Sequence, residues 1–213
     1  MSTILRSAPM TLGIAIVTAI VSLIVTLLDL EPHAALYAGL VPARASLGFA
    51  GDTPGLAPVI LTPLTATLIH GGIFHLVMNL IMLVYTGAAT ERAVGARGIA
   101  VLYVVGAYAA ALAQWLPDPQ SVAPMIGASG AASAVLGAYA MLYGRGRARN
   151  VGPVPARLVQ AVWLAVAWAV LNLLIAAVAV RSGLNLAAAA HIGGFIAGLV
   201  LVRPLLAWRW RTA

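Results

Sequence analysis

The sequence predicts an all-α membrane protein: a bundle of six transmembrane helices with both termini in the cytoplasm. Hydrophobic residues make up 62% of the chain and charged residues only 8%, whereas a soluble domain carries roughly 25% charged residues. Six apolar runs approach the length of about 20 residues that a membrane-spanning helix needs. Positive charge also falls almost entirely on one side when the runs are taken to alternate in direction. We expect one membrane domain over residues 1–213, because no repeat or second domain is apparent.

The helices are predicted from the limits of the apolar runs, at about residues 10–30, 73–90, 98–116, 126–143, 158–180 and 186–208. The first run is longer than the apolar core of a signal peptide, so we interpret it as a retained helix. A long outer loop, 31–72, joins the first two runs. It is rich in proline and glycine but apolar in its middle, which favours a structured loop lying partly in the outer interface.

The orientation follows from arginine, which supplies all the positive charge of a chain with formal net charge +7. With the N-terminus inside, the outer segments contain only two arginines, Arg44 and Arg181. The inner segments contain the others: Arg6, Arg92, Arg97, Arg145, Arg147, Arg149, Arg157, Arg203, Arg209 and Arg211. This bias is typical of membrane orientation. Because the arginines are scattered, we expect no nucleic-acid partner. We expect a multi-pass protein of a bacterial inner (plasma) membrane, surrounded by lipid bilayer.

Polar side chains gather at the predicted outer ends of three helices. His75 and Asn79 share a face of the second helix, Ser129 lies in the first turn of the fourth, and His191 lies about one turn into the sixth. The alternating topology therefore places these residues at one depth. Ionisable residues inside a membrane are costly and by default indicate a functional site.

These residue types fit nucleophilic catalysis. A serine hydroxyl becomes nucleophilic when a base such as histidine takes its proton. The oxyanion that then forms needs preorganised donors, which the N–H groups of a helix start and the side chains of His75 and Asn79 can supply. Since no carboxylate is well placed as a third member, the pattern predicts a Ser129–His191 dyad.

Other interpretations stay open at this point. Taken alone, a serine among small residues is more often a packing residue in a membrane helix, and we assign Ser133 to packing. Taken alone, an intramembrane histidine more often bonds a backbone carbonyl, and Asn172 is expected to form an interhelical hydrogen bond. Three histidines could hold zinc, but His70 and His75 are five residues apart and H-E-x-x-H is absent, so we expect no metal and no other cofactor. A non-catalytic binder or transporter is the alternative from another class.

Four motifs together resemble the rhomboid family of intramembrane serine proteases. They are "HGGIFHLVMN" from His70, "ER" at 91–92 followed by Gly95, "GASG" from Gly127, and "AHIGGFIAG" from Ala190. Their order and spacing agree over about residues 62–201. The resemblance implies a compact six-helix bundle with a water-filled cavity open to the outside. It also implies cleavage of a peptide bond in or near the transmembrane helix of a protein substrate.

The resemblance also implies roles for individual residues. Ser129 matches the nucleophile and His191 the general base, while His75, Asn79 and the backbone N–H of Ser129 match the oxyanion site. Supporting roles are implied for the first-loop histidine and for three glycines: His70, Gly127, Gly130 and Gly194. A catalytically weak or inactive rhomboid-like scaffold that binds membrane proteins is the alternative.

Two departures from the family pattern bear on activity. Leu61 and Thr62 stand where many members have Trp-Arg, which leaves open how the first loop is anchored. Ser133 stands where many members have an aromatic residue that stacks on the catalytic histidine. We therefore expect Ser133→Phe to be tolerated, and His191 to be held in a different way.

Overall fold

The computed structural model describes residues 8–144, 149–181 and 186–211. Over these ranges the predicted all-α class is confirmed, with only two isolated β-bridges between helices. The helices, in chain order, are α1 (Pro9–Leu27), α2 (Glu31–Ala38), α3 (Pro42–Ser46), α4 (Thr62–Thr65), α5 (Ile73–Trp115), α6 (Ser129–Tyr143), α7 (Ala156–Arg181) and α8 (Ala188–Arg209). Proline occupies the first turn of each of the first four helices, where its missing N–H would have no helical acceptor.

The predicted second and third helices form one helical element, α5, which folds back at Gly95. That glycine adopts φ 80° and ψ 168°, outside the helical region, which a residue without Cβ can do at little cost. His75 near the start of α5 and Ala110 near its end both lie against the first residues of α6. The limbs 73–94 and 96–115 are therefore antiparallel.

Among the described residues, four helices are long and apolar enough to cross a membrane: α1, α5, α7 and α8. The fourth predicted helix, 126–143, begins only at Ser129, because Gly127 has φ 109° and cannot continue a right-handed helix. Its 15 residues rise about 22 Å, less than the roughly 30 Å of a hydrocarbon core. Helix α6 is thus shorter than a hydrocarbon core is thick.

Helix α6 is the centre of the bundle and is built from small residues. Gly130, Ala131, Ala132, Ala134 and Ala138 are all buried. On one side, Gly106 of α5 lies against Ala134. On the other, the backbone of α8 approaches the same helix at two glycines, Gly194 and Gly198. Residues without bulky side chains let backbones approach closely, so α6 is held between α5 and α8.

The outer loop 31–72 is structured, with three short helices and several 3₁₀ turns. The guanidinium of Arg44 donates to the carbonyls of Gly51 (3.3 Å) and Ala57 (3.0 Å). Thr62 is buried, and its hydroxyl donates to the carbonyl of Val59, three residues earlier (2.7 Å). The loop is therefore organised around Arg44 in a chain that lacks the Trp-Arg pair at 61–62.

At the end of the bundle near Gly95, the buried carboxylate of Glu91 binds the start of α1. Glu91 accepts the backbone N–H groups of Met10 (3.0 Å) and Thr11 (2.8 Å) and the Thr11 hydroxyl (2.6 Å). An anion at a helix N-terminus satisfies free N–H groups and the helix dipole. Arg209 of α8 donates to the carbonyls of Glu91 and Arg92, so three helices meet beside the Gly95 turn.

Candidate active site

Ser129 is the first residue of α6 and follows a turn that several contacts fix. The Gly127 N–H donates to the Ala66 carbonyl (2.9 Å), and the Ala128 N–H donates to His70 Nε2 (3.2 Å). A helix start leaves its first N–H groups without helical acceptors. Ser129 therefore combines a partly exposed hydroxyl with free backbone donors.

His191 lies in the first turn of α8, with its ring against this serine. Nε2 of His191 is 2.7 Å from the Ser129 hydroxyl oxygen, across 62 residues of sequence. This is hydrogen-bond distance, and within the reach that a general base needs. The structure thus brings together the two residues that the sequence predicted as a dyad.

The other ring nitrogen of His191 contacts Asn172, which the sequence predicted to form an interhelical hydrogen bond with a partner it did not identify. Nδ1 is 2.8 Å from Oδ1 of Asn172, a side chain on α7 that is 3% exposed. The sequence contained a signal, because Asn172 is the one strongly polar residue between 161 and 180. It gave no indication of which neighbouring helix the amide would reach.

His75 lies against Gly127 beside the serine. A Cβ built on Gly127 would lie 2.9 Å from His75 Nε2 and 3.7 Å from the Ser129 hydroxyl oxygen. The Gly71 N–H donates to His75 Nδ1 (3.3 Å), so the proton of a neutral ring is on Nε2. An oxygen atom near that Cβ position would be within reach of the His75 N–H donor.

Asn79 lies one turn further along α5 and is 4% exposed. Its amide nitrogen donates to the carbonyl of His75 (2.9 Å), which leaves its second N–H free for another acceptor. Its oxygen is buried and has no hydrogen-bond partner among the described residues. The contacts of Asn79 are thus within its own helix, beneath His75.

His70 supports the turn before Ser129 from below. It is fully buried, its Nε2 accepts the Ala128 N–H, and its Nδ1 lies 2.7 Å from the Ser22 hydroxyl oxygen. That hydroxyl donates its own hydrogen to the Leu68 carbonyl (2.7 Å), so Nδ1 carries the ring proton. Burial, and then the nearby charge of His75, lower the pKa of His70 to about 3. The imidazole is therefore a neutral link between α1 and the serine turn.

The supporting glycines lie at the contacts between helices. A Cβ on Gly130 would meet Ala110 of α5 at 2.5 Å, and one on Gly194 would meet the Gly130 carbonyl. The same Gly194 position is 3.4 Å from the Cβ of Ser133, which is 1% exposed. The Ser133 side chain is therefore buried against α8, where a phenylalanine ring would have to displace its neighbours, and the tolerance of Ser133→Phe stays a prediction.

Metal ligation is the remaining chemical alternative. Over the described ranges, no group of three or more His, Asp or Glu side chains could hold a metal ion. The histidines at this site instead contact one another, the backbone and neutral side chains: the rings of His70 and His75 lie edge to face, with centroids 5.0 Å apart.

Comparison with known proteins gives consistent matches. The family model described as the Rhomboid domain matches residues 59–208, which include every residue of the site. RHOMBOID-like protein 5 of Arabidopsis thaliana is 39% identical over 70 residues, 33% of this chain and 23% of that protein. Rhomboid-related protein 3 of Homo sapiens is 34% identical over 86 residues, 40% of this chain and 21% of that protein. The matched stretches thus span less than a quarter of either relative.

Proposed function

Because the chain belongs to the rhomboid family of integral membrane proteins, we propose that it is an intramembrane serine endopeptidase. Its substrates are proteins with a transmembrane helix, cleaved near the outer face of a bacterial inner membrane. The observation that supports this most directly is the 2.7 Å contact between the Ser129 hydroxyl and His191 Nε2. Both termini face the cytoplasm in this proposal, as the distribution of arginines indicates.

The first step is nucleophilic attack. The Ser129 oxygen forms a bond to the carbonyl carbon of the scissile peptide while its proton passes to His191 Nε2. The carbonyl oxygen becomes an oxyanion. The position between Gly127 and His75 receives it, with donors from His75 Nε2–H, the free Asn79 N–H and the Ser129 backbone N–H.

The second step releases the amine. His191 gives the proton on Nε2 to the leaving nitrogen as the C–N bond breaks, which leaves an ester on Ser129. A water molecule then attacks the ester carbonyl carbon while His191 Nε2 takes its proton. The acyl C–O bond breaks, that proton returns to the Ser129 oxygen, and the new carboxylic acid end of the product leaves. Water can approach because Ser129, His191 and His75 are all only partly buried.

The substrate must unwind locally before it is cut. Peptide bonds in a helix are enclosed by their own hydrogen-bond ladder, so Ser129 can attack only an opened segment. Residues of poor helix propensity, such as glycine, lower the cost of opening by up to about 1 kcal/mol each. Substrates with such residues near the outer face should therefore be cleaved faster.

The test is labelling of the detergent-solubilised protein by a serine-reactive fluorophosphonate, with cleavage of a transmembrane substrate measured in parallel. Ser129→Ala and His191→Ala should each abolish both signals, because neither residue works without the other. Ser133→Ala is the matched control, since its hydroxyl is buried and unpartnered within the described structure, and it should keep both. Labelling and cleavage by Ser129→Ala at the unmodified rate would refute the assignment. An unmodified protein that does neither would favour the binding scaffold.

A further inference from the structure

A polar side chain of α7 contacts His191, the candidate base. Between residues 161 and 179 this helix is otherwise apolar and largely exposed on its outer faces, yet Asn172 is buried with its amide oxygen 2.8 Å from His191 Nδ1. Building on the proposed function, we propose that Asn172 is a positioning residue that fixes the tautomer and ring orientation of His191. The catalytic unit is then Ser129–His191–Asn172 rather than an isolated pair.

The orientation of the Asn172 amide is determined by its own helix. Its nitrogen donates to the carbonyl of Trp168 (3.0 Å), and a carbonyl can only accept a hydrogen bond. A flipped amide would place two oxygens against each other. The amide oxygen therefore faces His191.

The orientation of the amide in turn determines the proton on His191. An amide oxygen only accepts, so Nδ1 must carry the hydrogen of the neutral imidazole. Nε2 is then unprotonated and accepts the Ser129 hydroxyl at 2.7 Å. In the other tautomer Nε2 would carry a hydrogen and could not take the serine proton.

A second contact holds the same pair of helices in register. The Trp168 indole N–H donates to the backbone carbonyl of His191 (3.2 Å). The Trp168 ring also stacks on Phe195 of α8, with centroids 5.1 Å apart and planes 17° from parallel. Asn172 and Trp168, one turn apart, thus hold the ring and the backbone of His191. Because Ser133 supplies no ring on α6 that could stack on His191, α7 supplies the constraint instead.

A neutral partner suits the surroundings. When Ser129 gives its proton to Nε2, His191 becomes positively charged, and the Asn172 oxygen lies on the Nδ1–H side of that charge. The proton on Nδ1 stays in place throughout. A carboxylate would stabilise the cation more strongly, but an ionised side chain within a membrane helix is costly. An amide orients the ring without that cost.

The experiment compares three variants in detergent micelles. Asn172→Leu removes the acceptor at similar volume, and Asn172→Asp keeps an oxygen for Nδ1–H. Gln160→Leu is the matched control, because it removes an amide elsewhere on α7 that donates to the Gly144 carbonyl and lies away from His191. The measurements are kcat and KM for a transmembrane substrate, the rate of fluorophosphonate labelling, thermal stability, and the His191 tautomer by ¹⁵N NMR of labelled histidines.

We expect Asn172→Leu to lower kcat and the labelling rate by roughly 10²-fold, as misplacement of a catalytic group does, with little change in KM. The Nδ1–H signal of His191 should weaken in the same variant. Asn172→Asp should recover part of kcat, and Gln160→Leu should match the unmodified protein. Unchanged kcat and tautomer in Asn172→Leu would overturn the proposal. So would a loss of activity that follows thermal stability, with no recovery in Asn172→Asp. Absence of Ser129-dependent labelling in the unmodified protein would instead overturn the proposed function, and the catalytic role of Asn172 with it.

Discussion

Gly127→Ala should separate the chemical role of this glycine from its backbone role. Its φ of 109° lies where residues with a side chain are strained by about 1–3 kcal/mol. The new methyl carbon would also lie 2.8 Å from His75 Cε1 and 2.9 Å from His75 Nε2, in the space proposed for the oxyanion. Loss of one oxyanion donor costs about 10²–10³ in rate. We therefore expect turnover to fall at least about 10²-fold.

Gly55→Ala is the matched control for strain. Gly55 has φ 88°, and a Cβ there would meet nothing within 4 Å. Both variants should lose thermal stability through backbone strain, Gly127→Ala more because of its contact with His75, but only Gly127→Ala should lose turnover and labelling by fluorophosphonate. The assay is cleavage of a transmembrane substrate with unfolding temperature measured on the same samples. If Gly127→Ala cleaves within about threefold of Gly55→Ala, the space beside Gly127 does not receive the oxyanion.

Three further outcomes are expected. Gly194→Val should push α8 away from α6 and reduce turnover by roughly 10²-fold, measured against Gly13→Val, whose glycine has nothing within 4 Å of an added Cβ; equal activity of the two would mean that this contact does not set the catalytic distance. His70 has a folded pKa of about 3 against 6.5 for the free side chain, so its contribution to stability is full above pH 6.5 and falls by about 1.4 kcal/mol per pH unit below it. The unfolding temperature of His70→Gln should therefore change less between pH 7 and 5 than that of the unmodified protein. The control is His33→Gln, which replaces an exposed histidine. An equal pH dependence of the unfolding temperature in His70→Gln and the unmodified protein would contradict this. Glu91→Gln should lower the unfolding free energy by about 1–3 kcal/mol because a buried carboxylate accepts three hydrogen bonds; an unchanged unfolding temperature would count against this cap.

The sequence was sufficient to predict the contact between Ser129 and His191, because both residues are tied to helix positions. Hydropathy placed the helices, and each polar residue sat at a fixed distance from a helix start. The direction of alternate runs then placed them at one end of the bundle. Gly194, which the resemblance gave a supporting role, lies between α6 and α8, where a small residue allows close approach.

The sequence was less informative about rotation around the helix axes. The partner of Asn172 depends on how α7 is turned, and a helix exposed on most faces carries little periodicity to fix that rotation. The space at Ser133 had the same problem: spacing gave its helix face, but only the packed structure shows that Gly194 brings α8 against it. Helix limits near glycines were also uncertain, because Gly95 and Gly127 break the helical φ without interrupting the apolar composition.

The two histidines nearest Ser129 illustrate how neutral side chains can divide the chemistry without a charged partner. His75 and His191 each direct Nε2 toward the serine, but their Nδ1 atoms meet opposite groups: the Gly71 N–H donates to one, and the Asn172 oxygen accepts from the other. The proton of the neutral ring is therefore on Nε2 in His75 and on Nδ1 in His191. One histidine can donate to an oxyanion while the other takes a proton from the nucleophile. Replacing the group at either Nδ1, a donor by an acceptor or the reverse, would move the proton of that ring to its other nitrogen. The hydrogen-bond partner of each Nδ1 therefore decides whether Nε2 of the same ring donates or accepts.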